Sequence, residues 1–248
     1  MSETLATRAQ RFSKLFKISL NQLATALLLI ALPLALAGCG NDEWEWKQKL
    51  TIEVNTPNGV VSGSSVVRIV AYESPEVWII GFPGSVGSSV IGEAVVVEVA
   101  PGKYLFALLR GIDEEKVFAE YFEDVKDKPF AIRMERTASI RDKRELEIER
   151  YPTLVTFGDI NDPKTVKKVD PNDLAASFGK GFSLKSITAE ILDPSTPITQ
   201  GKVGKVLGNG FFRKFAKQFK KGLADGSYDQ KKIFYKMSRN LFIKEIKK

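Results

Sequence analysis

Leu50, Ile52 and Val54 alternate with Thr51, Glu53 and Asn55. A period of two predicts a half-buried strand. Pro57-Asn58-Gly59 follows, and Asn-Gly suits a tight hairpin turn. A second strand is expected over 60–72, with Gly63 as a bulge. Residues 77–82 and 94–99 read as further strands, and Pro101-Gly102 turns the chain into another at 104–109. Short strands spaced by turn residues predict an antiparallel sandwich or a small barrel. The Gly- and Ser-rich run 81–89 reads as a turn. It lacks the Gly-Lys-Ser/Thr of a phosphate loop. Pro83 stands where a nucleophile elbow needs its first Gly, and no His exists to activate Ser85.

Periodicity then changes. Asp113 caps a predicted helix with Glu114 and Glu115 in its first turn, and Phe118, Tyr121, Phe122 and Val125 share one face. The charged run 134–144 fits an exposed helix or a linker. Leu146 and Ile148 between Glu145, Glu147 and Glu149 suggest a strand, and a soft domain boundary falls near Arg150. Residues 154–157 form a short buried strand. The acidic run from Asp159 to Asp162 is interrupted by Pro163 and has no Gly at the sixth position of a calcium loop. Helix capping accounts for it better. Asp162 precedes Pro163 and Asp170 precedes Pro171, with Asp173, Leu174, Ala175 and Phe178 following and Gly179 as the stop. Ser177 and Lys180 have the Ser-x-x-Lys spacing of penicillin-binding enzymes, but this Ser closes a helix instead of opening one. Residues 182–192 read as a strand with a register break near Ser186, and 193–197 as a turn.

Near the C-terminus, Phe211, Phe212, Phe215 and Phe219 fall at helical spacing, interleaved with Arg213, Lys214, Lys217, Lys220 and Lys221. Two readings stand: a membrane-surface helix, or a helix that buries its Phe face on its own domain. A second basic stretch, 231–248, has the same helical pattern with Ile233, Phe234, Met237, Leu241, Phe242 and Ile246. The expected fold class is α+β: a β-rich domain over 49–150, sandwich-like or a small barrel, then a mixed α/β part over 151–248 with basic amphipathic helices.

Charge sharpens this picture. The whole chain carries +7, yet residues 201–248 hold fourteen Lys and Arg against three acids, net +11, and residues 39–200 carry −7. An acidic body with a basic end predicts contact with an anionic surface, and the five cations at 213–221 are the candidate contact residues. There is no histidine, which removes Ser-His-Asp and Cys-His catalysis and His-ligated zinc. An enzyme would have to use carboxylates, Ser/Lys or Tyr. No catalytic, metal or cofactor residues are assigned.

The N-terminus bears on where such a protein works. Arg8, Arg11, Lys14 and Lys17 precede an apolar run from about residue 18 to 37. Leu36-Ala37-Gly38-Cys39 closes it with the chain's single cysteine. Basic, apolar and small-residue segments in this order form a secretory signal. The four residues resemble the lipobox of bacterial lipoproteins. That resemblance implies a diacylglycerol on the Cys39 sulfur, cleavage between Gly38 and Cys39, removal of 1–38, and a periplasm-facing anchor in the envelope. Gly40 in place of an Asp after Cys39 favours the outer membrane. Residues 39–48, with Trp44 and Trp46, would form a tether.

The stretch 151–192, with Tyr151-Pro152-Thr153-Leu154-Val155-Thr156-Phe157 and Val169-Asp170-Pro171-Asn172-Asp173-Leu174, is similar to a group of uncharacterised bacterial putative lipoproteins, from which no activity carries over. The expectation is therefore a lipid-anchored envelope protein of binding or structural type. Its partners would be the membrane and an anionic lipid or envelope glycan. Nucleic acid is not expected of an exported chain. A carboxylate-dependent glycan hydrolase and an interaction or exclusion lipoprotein of a mobile element are the alternatives.

Overall fold

The alternation begins earlier than its first aliphatic residue. Strand β1 is Asp42–Thr56, and Trp46, Gln48, Leu50, Ile52 and Val54 all point inward. The segment expected as a tether, 39–48, is thus strand from Asp42 onward. Trp46 is 1% exposed, and Trp44 packs edge-on against Phe130, their rings 5.9 Å apart. An indole buries more apolar area than any neighbouring side chain, so the strand extends as far as the indoles have partners. The computed structural model describes residues 42–74, 76, 84–109, 128–208, 210–221, 231–234 and 239–244. The chain divides into two compact units, and nearly all described residues lie in the larger, 43–73 with 86–248. The strand expected at 77–82 and the helix expected from Asp113 lie outside the described residues, as does Cys39.

The fold is α+β with two antiparallel sheets, and neither closes into a barrel among the described residues. Strands β2 (Gly59–Ser74), β3 (Ser85–Glu93), β6 (Lys143–Glu145), β9 (Ser183–Leu192) and β10 (Ile243–Lys244) join β1 in a six-stranded sheet of order β10-β3-β2-β1-β9-β6. Strands β4 (Val95–Ala100), β5 (Lys103–Ala107), β7 (Leu154–Phe157) and β8 (Val166–Lys168) form a four-stranded sheet in that order.

Several sequence expectations hold at residue level. The β1–β2 hairpin turns at Pro57-Asn58, with Gly59 at φ +115°. β7 spans the four residues expected. The register of β1 against β9 shifts where Glu53 and Val54 face Ser186 and Leu184, which leaves Lys185 as the extra residue beside the expected break.

Others are corrected. Ser85–Ser89 belong to β3, so much of the turn expected at 81–89 is strand. Of the two readings of the charged run 134–144, helix holds as far as Ser139, the end of α1 (Phe130–Ser139), whose Met134 and Thr137 are buried. Leu146 and Ile148 do not extend a strand: β6 ends at Glu145, and Ile148–Arg150 is a 3-10 turn. The boundary near Arg150 does not divide the structure. β9 pairs with β1, and β7 pairs with β5, so each sheet mixes strands from both sides of it. A strand of alternating pattern is complete only beside its hydrogen-bonding neighbour, and sequence distance does not say which neighbour that is.

Gly63 of β2 lies tight against β4. A Cβ at this position would overlap the Val96 carbonyl oxygen and press on Val97. Its role is a close backbone approach between β2 and β4.

The core has two apolar layers. Between the sheets lie Leu50, Ile52, Val67, Ile69, Val97, Leu105 and Leu154, joined by Met134 of α1 and by Phe178 of the one-turn helix α2 (Ala175–Phe178). The four-stranded sheet is buried on its other face as well. There Phe106, Val155 and Val166 pack under the C-terminal helices α3 (Lys202–Leu207), α4 (Phe211–Lys221) and α5 (Arg239–Phe242). Burial on both faces explains why Leu105, Phe106 and Ala107 are all buried in succession.

Candidate functional site

The aromatic spacing seen at 211–219 resolves into a docked helix. Phe211 and Phe215 are buried, and Phe211 meets Phe157 edge-on at 5.3 Å. Phe215 meets Phe234 at 5.2 Å. The next helical residues contribute Ile233 and Phe234, and α5 contributes Phe242, whose ring lies 5.7 Å from Phe106 and 5.9 Å from Phe212. Of the two readings of this helix, the structure has the one in which the Phe face serves the core. Each such ring contributes about 1.5–3 kcal/mol by burial. Phe219 is the exception at 43% exposed, at the flank of the buried face, with Phe215 and Phe234 as neighbours.

With the Phe face committed, Arg213, Lys214, Lys217, Lys220 and Lys221 are all exposed. At 100° per residue they cover an arc of roughly 120° opposite the core. The sequence of α4 holds no acid. Lys217 therefore has like charges three and four residues away on both sides, each pair unfavourable by about 0.2–0.5 kcal/mol. Arg213 and Lys214 also sit in the first turn, where the helix dipole disfavours cations. Lys220 and Lys221 in the last turn suit it. Local helix stability thus opposes most of this charge, and an anion laid across the arc relieves the repulsion.

One polar contact sets how α4 lies. Gln218, on the buried side of the helix, donates through Nε2 to Oδ1 of Asp162 at 2.8 Å. The same oxygen accepts the Lys164 backbone N–H at 3.1 Å, so the carboxylate that caps the 3-10 turn Pro163–Thr165 also holds the helix. The other aspartates of this region serve turns, and the helix expected to open at Pro171 behind Asp170 begins only at Ala175, with Leu174 at its N-cap. Asp159 accepts from the Asn161 N–H, Asp170 from Asn172, Asp173 from Ala176 and Asp193 from Ser195.

A second polar feature lies between the sheets. A cavity of about 10 Å³, room for about one water, is lined in part by Gln48, Ser65 and Glu93. Trp46 Nε1 donates to Gln48 Oε1 at 3.3 Å, and Ser65 Oγ donates to the Glu93 carbonyl at 2.6 Å. Gln48 Nε2 has no partner among the described residues. The Glu93 carboxylate points away to α3, where its two oxygens accept the N–H groups of Gly201 at 2.6 Å and Val203 at 3.1 Å. Glu93 was not singled out from the sequence. A lone charge in the apolar run Ile91-Gly92-Glu93-Ala94-Val95 was the available signal.

The structure does not bring the expected site residues into one place. The five cations share α4, while Gly38 and Cys39 lie outside the described residues. Among the described residues no group of three or more acids, Cys or His is placed to hold a metal ion, and no helix is long and apolar enough to cross a membrane. No family model, curated protein or solved structure matches this chain.

Proposed function

We propose that this chain is a lipid-anchored protein of the bacterial envelope, of binding or structural type, which applies the cationic face of α4 to anionic lipid headgroups. One observation carries the surface role. α4 buries its aromatic face in the protein and leaves five cations, mutually repelling and without an acid on the helix, directed to solvent. This favours a headgroup-level electrostatic contact over insertion of Phe into the bilayer. The Leu36-Ala37-Gly38-Cys39 sequence supports the anchor. The two features have separate tasks: the acyl chains of a lipoprotein hold the chain on the membrane, and a polybasic surface, adding about 1 kcal/mol per cation, orients the domain on an anionic leaflet.

The anchor is tested by the intact mass of the protein extracted from washed bacterial membranes. A mass of residues 39–248 plus acyl chains is expected; an unmodified full-length mass refutes it. The surface role is tested with the extracted protein in neutral detergent micelles. It should bind nanodiscs containing phosphatidylglycerol, release them at high salt, and ignore phosphatidylcholine nanodiscs. Binding to an anionic polysaccharide alone would move the contact from lipid to glycan.

A further inference from the structure

One side-chain amide in the core determines what the cavity between the sheets can hold. Trp46, Gln48 and Ser65 are each buried. An indole N–H can only donate, so the Trp46 contact at 3.3 Å identifies the facing atom of Gln48 as Oε1 and turns Nε2 the other way. Nε2 is buried without a hydrogen-bond partner, and Gln48 lines the cavity together with Ser65 and Glu93. The single hydroxyl proton of Ser65 is committed to the Glu93 carbonyl at 2.6 Å. What Ser65 Oγ still offers is a lone pair. An occupant that satisfies both groups therefore accepts a hydrogen bond from Gln48 and donates one to Ser65. An ion does not suit the place. Leu50, Val67, Val95 and Leu108 make much of the lining apolar, which strips an ion of its hydration, and the Glu93 carboxylate is engaged by the N–H groups of Gly201 and Val203.

We infer that this cavity is a binding site for one water molecule, held between Gln48 Nε2 of β1 and Ser65 Oγ of β2. The volume of about 10 Å³ matches a single water and leaves no room for a second heavy atom. A cavity lined only by apolar groups stays dry; two polar groups of complementary kind make this one different. Without the water, a buried donor would bear the full cost of its desolvation. With it, every bond of a short chain runs the same way: Trp46 donates to Gln48, Gln48 to the water, the water to Ser65, and Ser65 to the Glu93 carbonyl. Bonds aligned in this manner polarise and strengthen one another in a low-dielectric interior. The chain crosses β1, β2 and the end of β3 inside the apolar layer, and it ends on the residue whose carboxylate caps α3. The site is independent of the lipid-surface reading above.

The test is a crystal structure of the full-length or processed protein, at a resolution that places ordered water. A single oxygen peak within about 2.7–3.2 Å of both Gln48 Nε2 and Ser65 Oγ is expected. No peak in the cavity overturns the site. So does a Gln48 side chain whose Nε2 is bonded to a protein acceptor. A peak bonded to only one of the two groups overturns the chain as drawn. Gln48→Met, which fills similar space but has no donor, should lose the peak while the Ser65 bond to the Glu93 carbonyl persists. A peak that survives in this variant overturns Gln48 as the group that holds the water. The wild-type structure decides the site by itself if Gln48→Met, which also deprives Trp46 of its acceptor, does not fold.

Discussion

The carboxylate of Glu93, 5% exposed at the end of β3, accepts the backbone N–H groups of Gly201 and, through its second oxygen, Val203 at the start of α3. A residue of one layer thereby caps a helix of another, more than a hundred positions away. Hydrogen bonds to a buried charge contribute about 1.5–3 kcal/mol, and the orphaned N–H groups would add to the loss. Glu93→Ala should destabilise the protein by at least that much in urea unfolding. Glu93→Gln, which keeps one acceptor, should lose less. Hydrogen exchange should accelerate at Gly201 and Val203 first in both variants.

Gly63 is expected to tolerate no side chain. Gly63→Ala would press a methyl group on the Val96 carbonyl oxygen, and overpacking of this kind costs about 1–3 kcal/mol. A thermal melt compares it with Gly102→Ala, where space is open but φ is +70°. Loss only at Gly102 would refute the close approach of β2 and β4.

The basic C-terminal stretch should behave as core rather than as a detachable tail. Phe242 is fully buried among Phe106, Phe157 and Phe212. Its carbonyl accepts the Ala94 N–H, and the preceding Leu241 carbonyl accepts that of Leu109, both at 2.8 Å. Phe242→Ala should cost about 3–5 kcal/mol. An unchanged urea midpoint would return 239–244 to the status of a tail.

Stability and surface binding should separate on α4. Lys217→Glu turns the like-charge pairs of this residue with Arg213, Lys214, Lys220 and Lys221 into attractive ones, so the unfolding midpoint should stay within about 0.5 kcal/mol of wild type or rise. Binding to phosphatidylglycerol nanodiscs should fall by an order of magnitude or more. Loss of folding in this variant would show that the cations serve the structure instead.

On the outer face of the six-stranded sheet, the Arg68 guanidinium bonds Glu45 and holds its carboxyl below the ordinary carboxylate range, with Lys47 adding attraction and partial burial opposing it. A depressed folded-state pKa means that this stabilisation is present above the unfolded value and is lost as pH falls through the folded one. The pair is well exposed, so the contribution is small. Arg68→Ala should move the Glu45 carboxyl titration upward by NMR. An unmoved titration would remove Arg68 as the cause.

Local elements were legible where one stretch carried its own physics. The hairpin at Pro57-Asn58-Gly59 and the Asp162–Pro163 cap need only neighbours a few residues away, and they stand where they were expected, as do β7 and the bulge near Ser186. The turn expected at 81–89 gives way to strand because Ser85–Ser89 belong to β3, whose sheet neighbour is β2, while Ile148 is 41% exposed in a 3-10 turn closed by the Tyr151 N–H. The aromatic period of α4 was plain from the sequence. Its destination was not, since a Phe stripe matches a bilayer and a protein core equally well.

By itself the sequence determined the α+β class, the strand-rich first half, the lipobox resemblance and the charge division, because these follow from alternation, residue type and count. The tertiary structure alone decided that β9 lies beside β1, that Glu93 caps α3, and that the Phe stripe faces Phe106, Phe157 and Phe242. Pairing of distant segments depends on which complementary faces bury the most area together, a comparison across the whole chain that no local pattern contains.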